Sequence, residues 1–159
     1  MSRRWHDHFL RECLVKAHMS KDPSTQVGCV IIGPDRETLS DGFNGFPRGI
    51  ADAPERLDHR ETKLRLMVHA EINAVCNAAR IGTSLKGSTL YLACTDHSGQ
   101  VWGGAPCTRC TVELIQAGIA RIVTVPFKPG PSKWGADIAF ARQLLAEAGV
   151  EYVELERPR

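Results

Sequence analysis

His69-Ala70-Glu71 and, further along, Pro106-Cys107-Thr108-Arg109-Cys110 supply one imidazole, two thiols and one carboxylate. Imidazole and thiolate are preferred zinc ligands. A structural zinc site is closed by four protein ligands, whereas a catalytic one keeps a position for water. A set of His69, Cys107 and Cys110 with a spare acid therefore predicts one catalytic Zn2+ ion as cofactor and Glu71 as a proton carrier outside the ligand set.

Each spacing has a physical reason. The stretch from Val68 to Ala79 is rich in good helix formers, with apolar residues at Val68, Ile72, Val75 and Ala79, which predicts a helix that starts at His69 and carries Glu71 in its first turn. Val112, Leu114, Ile115 and Ala117 before Gly118 predict a second short helix with a glycine stop, and three-residue spacing puts the two sulfurs on one side of its first turn. Helix N-termini favour thiolate over thiol. Two competing uses stay open for parts of this set. A CxxC pair alone also fits a redox function, and Asp96 or His97, lying between the two halves, could complete a structural zinc site.

Several elements must position these groups. Phe9, Leu10, Cys13, Leu14 and Ala17 form one face of an opening helix that stops near Met19. Gln26 to Gly33 reads as a strand, Gly33-Pro34-Asp35-Arg36 as a turn and Leu39 to Asn44 as the return strand. The chain from Gly45 to Arg65 reads as a long functional loop with one short solvated helix. Strands are expected at Ser88 to Cys94, Ala120 to Val125 and Val150 to Leu155, with a helix from Ala136 to Ala148. The order α-β-β-α-β-α-β-α-β predicts one α/β domain over residues 1–159, a three-layer αβα sandwich around a five-stranded mixed sheet.

Composition narrows the class. A chain of 159 residues with 43% hydrophobic content is one ordinary domain with a real core. The formal net charge is only +2 and basic residues alternate with acids, so long nucleic acid is not an expected partner. Apolar stretches are too short to span a bilayer, and Ser2-Arg3-Arg4-Trp5-His6-Asp7 lacks the apolar segment of a signal peptide, so a cytoplasmic location and no membrane partner are expected. Cys13, Cys29 and Cys76 fall in apolar patterns and are expected to be buried free thiols.

The H-x-E and P-C-x-x-C pair is the signature of zinc deaminases, and nearly the whole chain resembles the zinc-dependent cytidine deaminase superfamily, within it the deoxycytidylate (dCMP) deaminases. The segments Ser20-Lys21-Asp22-Pro23-Ser24-Thr25-Gln26-Val27-Gly28, Gly42-Phe43-Asn44-Gly45-Phe46-Pro47 and His59-Arg60-Glu61-Thr62-Lys63 carry the likeness beyond the metal set. The resemblance implies a cytidine deaminase-like fold and hydrolytic deamination of a small-molecule cytosine nucleotide, dCMP to dUMP. Zinc would activate a water, and Glu71 would pass its proton to the ring nitrogen and then to departing ammonia. The resemblance further implies a homo-oligomer, such as a hexamer or dimer, and an effector nucleotide of the dCTP or dTTP kind.

Residue roles follow from the same resemblance. Asn44 resembles a sugar- or base-contacting Asn, against an ordinary Asn-Gly turn. Ser20 and Lys21 would face the 5′-phosphate, Lys21 otherwise being a solvated lysine, and Ala70 lies beside the substrate. Phe46, Arg48 and His59 fall in the loop where some members bind a regulatory nucleotide. Many members pass from the third strand to Pro-Cys within a few residues, whereas residues 95–105 intervene here. That stretch either carries Trp102 to a ligand or makes a surface excursion with Trp102 packed beneath, and Phe127 and Trp134 are pocket wall or core. A deaminase acting on another base or nucleotide, such as a modified cytosine nucleotide, guanine or an RNA base, is the competing enzyme, and a zinc-stabilised binding module the non-enzymatic reading.

Overall fold

The computed structural model describes residues 1–127 and 134–158. Its elements are α1 (Arg3–Ala17), β1 (Thr25–Ile32), β2 (Thr38–Phe43), α2 (Pro54–Asp58), α3 (Arg60–Leu66), α4 (Ala70–Ile81), β3 (Thr89–Asp96), β4 (Val101–Trp102), α5 (Thr108–Gln116), β5 (Arg121–Thr124), α6 (Gly135–Glu147) and β6 (Glu151–Glu154). The sheet runs β2-β1-β3-β5-β6, with β4 on the end of β3. Strand β1 is antiparallel to both β2 and β3, while β3, β5 and β6 are parallel, so the sheet is mixed as expected.

Period-two alternation along the strands divides the core. Cys29, Ile31, Leu90, Leu92 and Ile122 face α4, α5 and α6, where they meet Ala74, Leu114 and Leu145. Val30, Ile32, Tyr91, Ala93 and Val123 face the opposite way, against Phe9, Leu10 and Cys13 of α1. Three layers result, with both helical layers seated on buried strands.

Two layers meet at backbone contact. A Cβ at Gly28 would stand 2.0 Å from the Cys13 carbonyl oxygen of α1, and one at Gly42 would stand 2.2 Å from the Ala70 carbonyl oxygen of α4. Only glycine admits such an approach. The buried face of α4 is consequently Ala70, Glu71, Ala74 and Ala78, not the expected Val68, Ile72, Val75 and Ala79. The same rotation leaves Cys76 exposed, whereas Cys13 and Cys29 are buried as expected.

Two further differences concern the loops. Cys94 pairs with Trp102 and Thr95 with Val101, so the 95–105 stretch closes into a hairpin and the sheet gains a sixth strand over the expected five. Gly103 and Gly104 then donate to the carbonyls of Pro126 and Val125 at 3.1 and 2.9 Å, fastening the hairpin to the exit of β5. The 45–68 stretch forms two short helices instead of one, and its ends are joined where Gly45 and Val68 exchange backbone hydrogen bonds at 3.1 and 2.9 Å. Among the described residues, no helix is long and apolar enough to cross a membrane.

Candidate active site

His69 stands at the N-cap of α4 with extended backbone, φ −70° and ψ 153°, and Glu71 follows in the first turn. Cys107 is the N-cap of α5, and Cys110 lies one turn inside it. The two helix starts converge: His69 Nδ1 lies 3.5 Å from Cys107 Sγ and 3.4 Å from Cys110 Sγ. All three ligand atoms fall within 4.8 Å of one another. A tetrahedral zinc ion with usual bond lengths separates nitrogen from sulfur by about 3.5 Å, so the donor set fits zinc in both type and spacing. Asp96 instead accepts from the backbone N–H groups of Ser98 and Gln100 at its hairpin tip, and neither it nor His97 joins the cluster. The four-ligand structural alternative therefore fails among the described residues.

Electrostatics favour the ligating, deprotonated form at one of the three positions, Cys107. The Cys107 thiol is pulled down to about 4, first by hydrogen bonding with Cys110 and further by His69, against the opposing effect of burial. His69 is raised to about 9 by its hydrogen bond to Cys107, while Cys110 is pushed up by the same neighbouring sulfur and by burial. A thiolate is thus already present at neutral pH. Glu71 is only 4% exposed, and burial raises its carboxyl above the usual range despite the nearby His69 charge. Burial thus favours the neutral form of this carboxyl over the charged one.

These groups open into a cleft of about 470 Å³. Asn44, Ala70 and Trp102 line it, as do Phe127 and Trp134, so the hairpin and the segments around α6 do contribute walls. Trp102 meets Phe127 edge to face at 5.8 Å, and its indole nitrogen is buried with no hydrogen-bond partner among the described residues. Asn44 has a structural task as well as a place in the wall: its Oδ1 accepts from Val27 N–H at 2.7 Å and its Nδ2 donates to the Thr25 carbonyl at 2.9 Å.

Other expected contacts lie elsewhere. Ser20 is buried, and its hydroxyl accepts from the Asp22 N–H at 3.2 Å. Lys21 pairs with Asp52 at 3.0 Å. Neither is among the described residues that line the cleft. Phe46 and His59 are likewise outside it, the His59 ring capping α3 by accepting from Thr62 N–H. Arg48 bonds Asn77 at 2.5 Å and borders a separate hollow of about 420 Å³ together with Arg80. The sequence reading missed the groups that do face the cleft from this side, namely Asp22, Ser24, Arg60 and Lys63. Arg60 and Lys63 stood in a segment already singled out, but the path of its backbone carried no signal.

Comparison with known proteins places the chain among deaminases. The family profile described as the cytidine and deoxycytidylate deaminase zinc-binding region matches residues 3–125. A protein of Aliivibrio fischeri named "Uncharacterized deaminase in luxG 3'region" is 34% identical over 155 residues, covering 95% of this chain and 93% of that one. Human deoxycytidylate deaminase is 31% identical over 156 residues, covering 93% of this chain and 78% of its own length. The crystal structure of a dCMP deaminase from cyanophage S-TIM5 in complex with dCMP and dUMP superposes with a TM-score of 0.72 at 21% identity, covering 98% and 99% of the two chains. That last likeness bears on the fold.

Proposed function

This chain belongs to the cytidine and deoxycytidylate deaminase family, and from that membership we propose that it hydrolyses dCMP to dUMP and ammonia. The observation that carries the reading is the buried carboxyl of Glu71 beside a converged His69, Cys107 and Cys110 cluster in one cleft. Deoxycytidylate deaminase relatives above 30% identity over most of the chain support the substrate.

His69, Cys107 and Cys110 would hold the zinc ion through Nδ1 and the two sulfurs. When bound there, zinc supplies Lewis acidity that lets water ionise near neutral pH. Glu71 takes the proton of the attacking water, places it on the ring nitrogen next to the reacting carbon, and later protonates the departing amine. The carbon–oxygen bond forms first; the hydroxyl of the adduct then gives up its remaining proton through Glu71 to the amino group, the carbon–nitrogen bond breaks to release ammonia, and no electrons are gained or lost overall. Burial of Glu71 makes the protonated carboxyl accessible between these transfers. The apolar walls Leu92, Trp102 and Phe127 limit bulk water around the reacting base. Six free cysteines support a reducing compartment, consistent with the cytoplasm.

Ammonia release across dCMP, CMP, deoxycytidine, cytidine, their 5-substituted forms, guanine and a tRNA anticodon stem tests the reading. The expected order puts dCMP first. Turnover of guanine or RNA with dCMP untouched overturns the substrate while leaving the metal chemistry standing.

A further inference from the structure

The walls of the cleft carry four formal charges outside the reacting groups, from Asp22, Asp58, Arg60 and Lys63. Two of them cancel in a fixed pair. Lys63 Nζ donates to Asp22 Oδ1 at 2.9 Å and to Ser24 Oγ at 3.0 Å, with side chains only 10% and 9% exposed. Asp22 Oδ1 also accepts from the N–H groups of Ser24 and Thr25, so the carboxylate is organised by the start of β1 and Lys63 is locked onto it. Two of the three ammonium hydrogens are committed, and one remains. Arg60 is exposed at the first turn of α3, and its guanidinium has no hydrogen-bond or ion-pair partner among the described residues. It is the cation of these walls that is free to meet a ligand. Its planar fork matches two oxygens of a phosphate, and unlike a lone lysine it keeps its charge on partial burial.

We propose that Arg60 reads the 5′-phosphate of the substrate, with Lys63, fixed by Asp22 and Ser24, supplying a second donor to the same group. The assignment rests on the nucleotide reading above and moves phosphate recognition from Lys21, which is tied to Asp52, to the α3 segment. Asp58 is the remaining carboxylate of these walls and opposes a bound dianion.

The test compares binding of dUMP and deoxyuridine by calorimetry, with zinc loaded, in the wild type and in Arg60→Ala, Arg60→Lys and Asp58→Asn. Arg60→Ala is expected to weaken dUMP by roughly 10- to 100-fold, the worth of one charge-assisted contact, and to leave deoxyuridine binding and zinc content unchanged. Arg60→Lys should recover part of the loss, and Asp58→Asn should tighten dUMP. Equal loss for dUMP and deoxyuridine, or no loss for either, overturns the assignment. So does a wild type that does not prefer dUMP to deoxyuridine. A wild type that shows this preference and its dependence on Arg60, yet releases no ammonia from dCMP, supports the phosphate site and overturns the proposed reaction.

Discussion

Asp137 of α6 accepts a hydrogen bond from the backbone N–H of Thr108 at 2.9 Å, while its own carbonyl accepts from the Thr108 hydroxyl at 3.2 Å. A carboxylate from α6 thereby caps α5 at the residue that follows Cys107. The cap satisfies an orphan donor and places negative charge at a positive helix end.

Removing that cap should loosen the metal without touching a ligand. Asp137→Ala is expected to cost about 0.5–2 kcal/mol of stability, as lost helix caps do, and to weaken zinc retention by about 10- to 100-fold, as outer-shell changes do. Urea unfolding and competition with a chromogenic chelator measure the two effects. Unchanged metal affinity would show that α5 holds its start without α6.

Glu71 and His69 sit two residues apart yet should fail differently. Glu71→Gln keeps the shape and should retain zinc while losing turnover by about 10²- to 10⁴-fold, the usual contribution of a general acid–base group. His69→Ala should lose both metal and activity. Metal content by mass spectrometry beside ammonia release separates the two, and zinc loss in both variants contradicts the division of roles.

The double-ended bonding of Asn44 predicts a stability effect that a purely substrate-contacting residue would not show. Asn44→Ala leaves the Val27 N–H and the Thr25 carbonyl without their partner, at a cost of about 1–3 kcal/mol. The shift in urea midpoint of the ligand-free protein measures it. A midpoint equal to that of the wild type would assign the side chain to ligand binding alone.

His6 gives a pH dependence that runs in the same direction as the familiar carboxylate loss, with stability falling toward acid. Burial, reinforced by the N-terminal charge and by Arg121 and Arg3, lowers its folded pKa below 6.5, and its Nδ1 lies 2.9 Å from the Tyr91 hydroxyl. The unfolded chain therefore binds the proton more readily. The stability from neutral His6 is complete above pH 6.5 and declines as pH falls through the lowered folded value. Urea midpoints of the wild type and His6→Asn should converge as pH falls from about one unit above to about one unit below the unperturbed histidine value. Parallel curves would remove His6 from the account.

The Cys107 and Cys110 pair was legible because its information is local: the two lie within one helix turn, and spacing alone places both sulfurs together. The positions of the strands were legible for the same reason, since the apolar pattern along Cys29 to Ile32 and Leu90 to Ala93 needs no partner to be read. The buried face of α4 was not. Its contacts are made by alanines against Gly42, so close approach decided the packing and the larger Val75 and Ile72 were left only partly buried. Lys21 and Lys63 show the same limit for charge. Lys21 neighbours Asp22 in sequence but reaches Asp52, while Lys63 arrives from 41 residues away to take Asp22. Such pairing depends on the three-dimensional course of the 45–68 stretch, which composition does not encode.

That stretch is held at both ends and in between. Gly45 and Val68 close it, Lys63 ties it to Asp22, Lys21 ties it to Asp52, and Arg48 ties it to Asn77. A segment stapled at so many points forms a standing bank to the groove, not a swinging gate. Ligand exchange would then proceed by diffusion through a mouth that is already open, so turnover should respond to solvent viscosity only as far as encounter itself does, without the slow step that lid-bearing enzymes show.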